Sequence, residues 1–318
     1  MTPNHNVCVV GAGYWGKNHL KTLHAMNVLG GVVEQDQAII KEIQEAYKGV
    51  NLYNNVEEAI SAKKHTSFTV ATPAKTHYEI AKLILSSKIP VLVEKPFTLS
   101  LEHAEELCAI AKNNSTCLMV GHLLLFHPGI LKIKEWIKKG YLGDLNYIYS
   151  NRLNLGKVRS HEDVFWSLAP HDIAIMQFIN ESYPEDISYS NASFLQSGIS
   201  DIQITNLKYQ NNTYCHIFNS WMNPFKEHRL VISGDKGHID FFSSKNDHHF
   251  EFYESEFLGV SEENQFRKQD AKKVEFEDIQ PLENQFKYFL ERAEKGELAD
   301  LAGIDSALDV TKIMLDCC

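Results

Sequence analysis

A run of basic residues, a cysteine framework and a long apolar stretch are all missing from this 318-residue sequence. Its net charge is −10 with histidines neutral, and no long Lys/Arg run offsets it locally, so neither nucleic acid nor an anionic membrane is expected as a partner. The six cysteines fall at 8, 108, 117, 215, 317 and 318 with no Cys-x-x-Cys spacing, which argues against a disulfide framework and against a cysteine zinc site. His248 and His249 are adjacent, and neighbours in a strand face opposite ways, so no metal site is expected there either. No apolar stretch reaches the roughly 18 residues that a membrane-spanning helix needs. The opening residues pass from a short polar lead into Val-Cys-Val-Val without a basic segment ahead of a long apolar run, and a cytoplasmic location is the expectation.

What is present is the composition of an ordinary globular protein, 44% hydrophobic and 23% charged. A chain of this length buries a sizeable core, more readily as two domains than as one. In the first half, short apolar runs alternate with amphipathic segments: strands over 7–10, 29–33, 67–71, 91–93 and 117–120, and helices over 16–26, 37–48, 56–60, 77–85 and 101–112. That alternation predicts an α/β fold with a doubly wound parallel sheet. Between the first strand and helix stands Gly11-Ala12-Gly13-Tyr14-Trp15-Gly16. Gly11 permits the tight turn, Gly13 lets a pyrophosphate approach the backbone, Gly16 permits close helix packing, and the helix N-terminus offers unpaired N–H groups to the anion. The second strand ends at Glu34, about 20 residues on, where a carboxylate accepts from ribose hydroxyls and repels a 2′-phosphate; NAD is favoured over NADP. Thr72 and Pro73 follow the 67–71 strand and either line the dinucleotide cleft or cap the next helix. Lys95 follows the run Val91-Leu92-Val93, at a strand's carboxyl end where open α/β sheets bind ligands; the alternative is a solvated lysine in an ordinary turn.

Three motifs, GAGYWG, ATPAKTH and VEKPFTLS, together resemble the Gfo/Idh/MocA family of nicotinamide-dependent sugar oxidoreductases, over essentially the whole chain. The resemblance implies an N-terminal Rossmann domain over 1–121 and a C-terminal α+β domain with a large, mostly antiparallel sheet over 122–318, the last helix packing back near the first. It implies cofactor contacts from Gly11, Ala12, Gly13, Tyr14, Trp15, Gly16, Glu34, Thr72, Pro73, His77, Glu94, Lys95 and His122. It also places Lys95 beside the nicotinamide and the reacting hydroxyl, behind a cis Lys95-Pro96 bond, and makes His171 the second catalytic residue.

After His122 the alternation stops. A helix over 130–138 is followed by strands over 146–150, 187–194, 202–209, 214–220, 229–233 and 238–242. The Tyr214–Asn219 run is partly apolar on both faces, which suggests a face covered by a second subunit, giving a homodimer or homotetramer through this sheet. Pro170 suits a helix's first turn and would put His171 near a helix N-terminus, where the dipole favours a neutral ring. Several relatives, inositol dehydrogenase-like members among them, carry an aspartate four residues before that histidine; here the position is Ser167. Asp172 points about 100° away from His171 on a helix and is not assigned to a dyad with it.

The segments GHLLLFHP, NRLNLGKVR, FWSLAPHDI and WMNPFKEHRL resemble the branch of the family acting on nucleotide-linked sugars, including UDP-N-acetyl-2-amino-2-deoxyglucuronate 3-dehydrogenases of surface-polysaccharide synthesis. That resemblance implies an NAD-dependent dehydrogenase oxidising the C3 hydroxyl of a UDP-linked N-acetylated uronic acid. Arg152, Lys157, Arg159, Lys226 and Arg229 would meet a carboxylate and a diphosphate, unless spent on surface ion pairs. His127 and Asn151 are candidates for sugar hydroxyls, and Trp166 and Trp221 for pocket walls. Alternatives are a keto-sugar reductase, an inositol or free-sugar dehydrogenase of the same family, and a non-catalytic NAD-binding regulatory protein.

Overall fold

The computed structural model describes residues 5–317 apart from 157, 161, 244–247, 258–265, 269 and 278. The chain forms two compact units, one from Met1–Phe126 with Ile279–Leu315 and the other from His127–Asp278 with Asp316–Cys318. Residues 279–315 thus count with the first unit.

In the first unit the elements run β1 (Val7–Val10), α1 (Gly16–Ala25), β2 (Leu29–Val33), α2 (Gln37–Ala46), β3 (Asn51–Tyr53), α3 (Val56–Ser61), β4 (Ser67–Val70), α4 (His77–Ser86), β5 (Val91–Val93), α5 (Leu101–Asn114) and β6 (Leu118–Val120). The six strands are all parallel, in the order β3-β2-β1-β4-β5-β6, the Rossmann arrangement. β1, β4, β5 and β6 are buried throughout, which is why they read as continuous apolar runs rather than alternating ones. Each fully buried Val, Leu or Phe side chain contributes about 1.5–3 kcal/mol of transfer energy. Helix starts are set by side chains: Asp36 accepts from Ala38 N–H, Asn55 from Glu58 N–H, and Ser100 from His103 N–H.

The second unit holds α6 (Pro128–Lys138), β7 (Leu145–Leu155), α7 (Val164–Asn180), β8 (Asp186–Ala192), β9 (Ile202–Lys208), β10 (Tyr214–Ser220), β11 (Met222–Gly234), β12 (Gly237–Ser243), β13 (His248–Phe257), β14 (Phe266–Lys268) and β15 (Lys272–Lys273). Its sheet runs β14-β13-β12-β11-β7-β10-β9-β8, with β15 also on β13. Every pairing is antiparallel except β7 with β10. β13 falls in a stretch that composition marks as polar. Its inward positions are Phe250 and Phe252, both buried, alternating with Glu251 and Tyr253, and that period of two makes it a strand despite its charge.

The chain then returns to the first unit as α8 (Pro281–Lys295) and α9 (Ile304–Asp316). Ile304 and Ala307 join the same apolar cluster as Val70, Val93, Leu107 and Val120. No helix among the described residues is long and apolar enough to cross a membrane.

Candidate active site

The turn from β1 to α1 depends on two glycines. Gly11 has φ +87°, and a Cβ on Gly16 would lie 2.0 Å from the Gly11 carbonyl oxygen, so a side chain at either position would break the turn. At Gly13 a Cβ would meet nothing within 4 Å, leaving the backbone open to an approaching phosphate. Glu34 closes the other side: Ala12 N–H donates to Oε2 at 2.8 Å, and Gln35 and Asp36 N–H groups donate to Oε1 at 2.7 and 3.1 Å. These bonds fix the carboxylate and leave one lone-pair site, on Oε2, for a ribose hydroxyl.

Gly11, Gly13, Glu34, Thr72, Pro73 and Ile80 border a cavity of about 580 Å³, to which Asp36, Glu57 and Glu79 add negative charge. An adenosine fits such a space, whereas a 2′-phosphate would meet four carboxylates. Thr72 both lines the cavity and holds its turn, with Thr76 Oγ1 2.8 Å from its hydroxyl. Of the other turn residues, Tyr14 is 91% exposed, and Trp15 borders a separate cavity with Lys21, Gln280 and Lys287.

Lys95 stands two residues after the end of β5, and the Lys95-Pro96 bond is cis. The groups around it are buried polar ones. His77 sits with its ring nitrogens 2.9 Å from Pro96 O and 2.8 Å from Thr72 O, tying the two strand-end turns together. Glu94 is held between two partners: its Oε1 lies 2.9 Å from His19 Nε2 and its Oε2 accepts from Lys95 N–H. His122 is 2% exposed, and neither ring nitrogen has a hydrogen-bond partner among the described residues. Burial lowers its pKa to about 4, with Glu94 pulling it up and Lys95 pushing it down, so the ring is neutral at physiological pH.

In the second unit, several expected substrate contacts are committed elsewhere. Arg152 is 8% exposed, and its guanidinium donates twice to Asp172, Nε to Oδ2 and Nη2 to Oδ1, each at 2.8 Å. Ser150 Oγ donates to the same carboxylate at 2.8 Å. Asp172 therefore pins α7 to β7 and is no partner for His171. Arg229 is paired bidentately with Asp240, Arg159 lies 3.5 Å from Glu162, and Asn151 donates to Glu227. Lys226 is exposed, and Lys157 lies outside the described residues. Trp221 is a core residue whose indole N–H donates to Asp201 Oδ1. His127 caps α6, its Nδ1 accepting from Gly129 N–H, and Trp166 is half-buried on α7. Among the described residues, Asp240, His249 and Glu251 bring ligand atoms together, but the Arg229 guanidinium already supplies the cation there.

His171 is not at a helix N-terminus. α7 begins at Val164 behind an Asp163 cap that accepts from Trp166 N–H, so Pro170 lies inside the helix and His171 near its middle. The dipole argument for a neutral ring does not apply there, because that effect fades beyond the first turn.

Residues 5–122 match the oxidoreductase family described by an NAD-binding Rossmann fold, and residues 130–240 match the GFO/IDH/MocA C-terminal domain. The chain belongs to the Gfo/Idh/MocA family. Its cofactor is NAD, and the turn, cavity and fixed Glu34 described above suit that dinucleotide. UDP-N-acetylglucosamine 3-dehydrogenase of Acidithiobacillus ferrooxidans is 27% identical over 180 residues, 56% of this chain and 55% of that enzyme. The chain thus spans a little over half the length of this relative in sequence. The solved structure of that dehydrogenase, GnnA, superposes with a TM-score of 0.85 at 20% identity, covering 98% of this chain and 96% of that one. A second relative, 2,7-anhydro-N-acetylneuraminate hydratase of Mediterraneibacter gnavus, is 23% identical over 256 residues, 73% of this chain and 65% of that protein.

Sequence reasoning missed His19, Asp201 and the pairing of Arg152 with Asp172. Only His19 left a signal: with Gly16, Leu20 and Leu23 it occupies the buried face of α1, a helical spacing in which a histidine is conspicuous.

Proposed function

We propose that this protein is an NAD-dependent dehydrogenase of a UDP-linked N-acetylated sugar, oxidising its C3 hydroxyl, with an N-acetylated uronic acid as the preferred sugar. The observation that carries the reaction class is Lys95, an amine just beyond the carboxyl end of β5, in the same parallel sheet as the glycine-rich β1–α1 turn. The sugar class and position rest on the relationship to UDP-N-acetylglucosamine 3-dehydrogenase. The β1–α1 turn would hold the pyrophosphate, and Glu34 would accept from the adenosine ribose. Bound NAD supplies the hydride acceptor at nicotinamide C4. Lys95 donates a hydrogen bond to the substrate oxygen and stabilises it as charge develops, and His171 takes the hydroxyl proton. Arg159 and Lys226 are the cations proposed to meet the diphosphate; Arg152 and Arg229 are withdrawn from that set by their carboxylate partners.

The reading is tested by incubating the protein and NAD with UDP-N-acetylglucosamine, UDP-N-acetylglucosaminuronic acid, free sugars and inositols while following NADH absorbance and product mass. Turnover is expected with the UDP-sugars. Reaction of free polyols alone would overturn the nucleotide assignment, and a product heavier or lighter by one water without net NADH would move the reading toward the hydratase members.

We also propose that the protein is a homodimer or homotetramer through the second unit's sheet. Tyr147, Tyr149 and His216 form a half-buried aromatic cluster on one face, and Ile204, Tyr189 and Tyr214 are each about 40% exposed, an apolar area of the kind that subunit contact covers. Light scattering that gives a mass near the 36.3 kDa of one chain would exclude such an assembly.

A further inference from the structure

In the first unit a chain of buried polar side chains runs from β4 to the Lys95 turn. His19, fully buried on α1, has Nδ1 2.7 Å from Thr69 Oγ1 and Nε2 2.9 Å from Glu94 Oε1. An ionised carboxylate only accepts, so Nε2 carries the hydrogen, and in the neutral ring the Thr69 hydroxyl donates to Nδ1. The other Glu94 oxygen accepts the Lys95 backbone N–H at 3.2 Å. Burial alone would raise the Glu94 carboxyl, but the His19 ring, then Trp15 and Lys95, bring it below its ordinary value. The carboxylate fits only because residue 121 is glycine: a Cβ there would lie 2.7 Å from Oε2 and 2.9 Å from Oε1. The fingerprint helix α1, the end of β5 and the end of β6 thus converge on one carboxylate.

We propose that His19, Glu94 and Gly121 form a positioning device that couples the cofactor-binding helix to Lys95. The proposal rests on Lys95 being the residue that binds the reacting oxygen. None of the three touches substrate; they set where the lysine turn stands, and a displacement of about 1 Å at a reacting group costs about 10²-fold in rate.

Gly121→Ala removes no polar group and is expected to push the carboxylate off His19. It should lower kcat for UDP-N-acetylglucosamine and NAD by about 10- to 100-fold, with the Kd for NAD within about three-fold. In a Glu94→Ala background the obstructing carboxylate is gone, so adding Gly121→Ala should cost nothing further. His19→Gln, which can still donate toward Glu94, should retain more activity than His19→Ala. A readout independent of turnover is the proton on His19 Nε2. Shielded from exchange, it should give a downfield imidazole N–H resonance in the apoprotein, lost in His19→Gln and Gly121→Ala and displaced by saturating NAD. Additive losses in the double variant, or a resonance that ignores NAD, would overturn the coupling. Wild-type kcat in Gly121→Ala beside an inactive Lys95→Ala would sink the positioning role alone. Normal turnover by Lys95→Ala would instead remove the reading of Lys95, while the resonance still decides whether helix and turn are coupled.

Discussion

Alanine at position 95 is expected to lower kcat by about 10²- to 10³-fold, the usual loss when one preorganised donor to a developing oxyanion is removed. NAD binding should stay within a few-fold, because the turn, the cavity and Glu34 are built without this side chain. The fold should persist as well: β5 is anchored by three fully buried residues, whereas Lys95 follows the strand and is only half-buried. Lys95→Arg is not expected to rescue the rate, since a planar fork cannot take the place of a compact ammonium. In the same assay His171→Ala should lose about 10²- to 10⁴-fold if that ring is the proton acceptor. Steady-state rates at saturating NAD and UDP-sugar, beside NAD titrations by protein fluorescence, separate the two effects. Ordinary turnover by Lys95→Ala excludes its assigned role, and ordinary turnover by His171→Ala excludes that of the histidine.

Asp172→Ala is expected to destabilise the second unit by about 3–5 kcal/mol, because it strands a buried guanidinium. The loss belongs to what is left behind rather than to the pair's net worth. Arg152 is 8% exposed and would keep its charge with two donors unsatisfied, and Ser150 would lose its acceptor. Replacing both members of the pair, Arg152→Met with Asp172→Leu, should recover much of the stability, since a buried ion pair compares poorly with apolar residues of similar volume. Urea unfolding followed by circular dichroism gives the measurement. A loss below about 1 kcal/mol for Asp172→Ala, the range of exposed pairs, would show that water reaches the guanidinium and that the pair does not hold α7 on β7.

This second result bears on what could be read from the chain before folding. NRLNLGKVR looks like a basic segment because charge is visible in sequence and its partners are not. Asp172 is 20 residues from Arg152, and Asp240 is 11 from Arg229, so the carboxylates that neutralise them lie on other elements. Pro170 was misleading for a different reason. Proline favours a helix's first turn, but the Asp163 cap starts α7 two turns earlier, and burial of Phe165, Ala169 and Ile173 holds the helix together across the proline. β13 was hidden by its glutamates and histidines, although Phe250 and Phe252 kept the period of a strand.

The sequence by itself determined the parallel sheet, the dinucleotide turn, the acidic residue beside it and the lysine at the end of β5. These features are local, since each depends on a few consecutive residues and on where an apolar run stops. Only the tertiary structure decided which of the polar residues are free to meet ligand. Hydrogen bonds and ion pairs between distant elements occupy Arg152, Arg229 and Trp221, and join Glu94 to His19. A buried polar group takes whatever partner packing brings to it, and that choice is made across 75 residues for His19 and Glu94, beyond the reach of any motif.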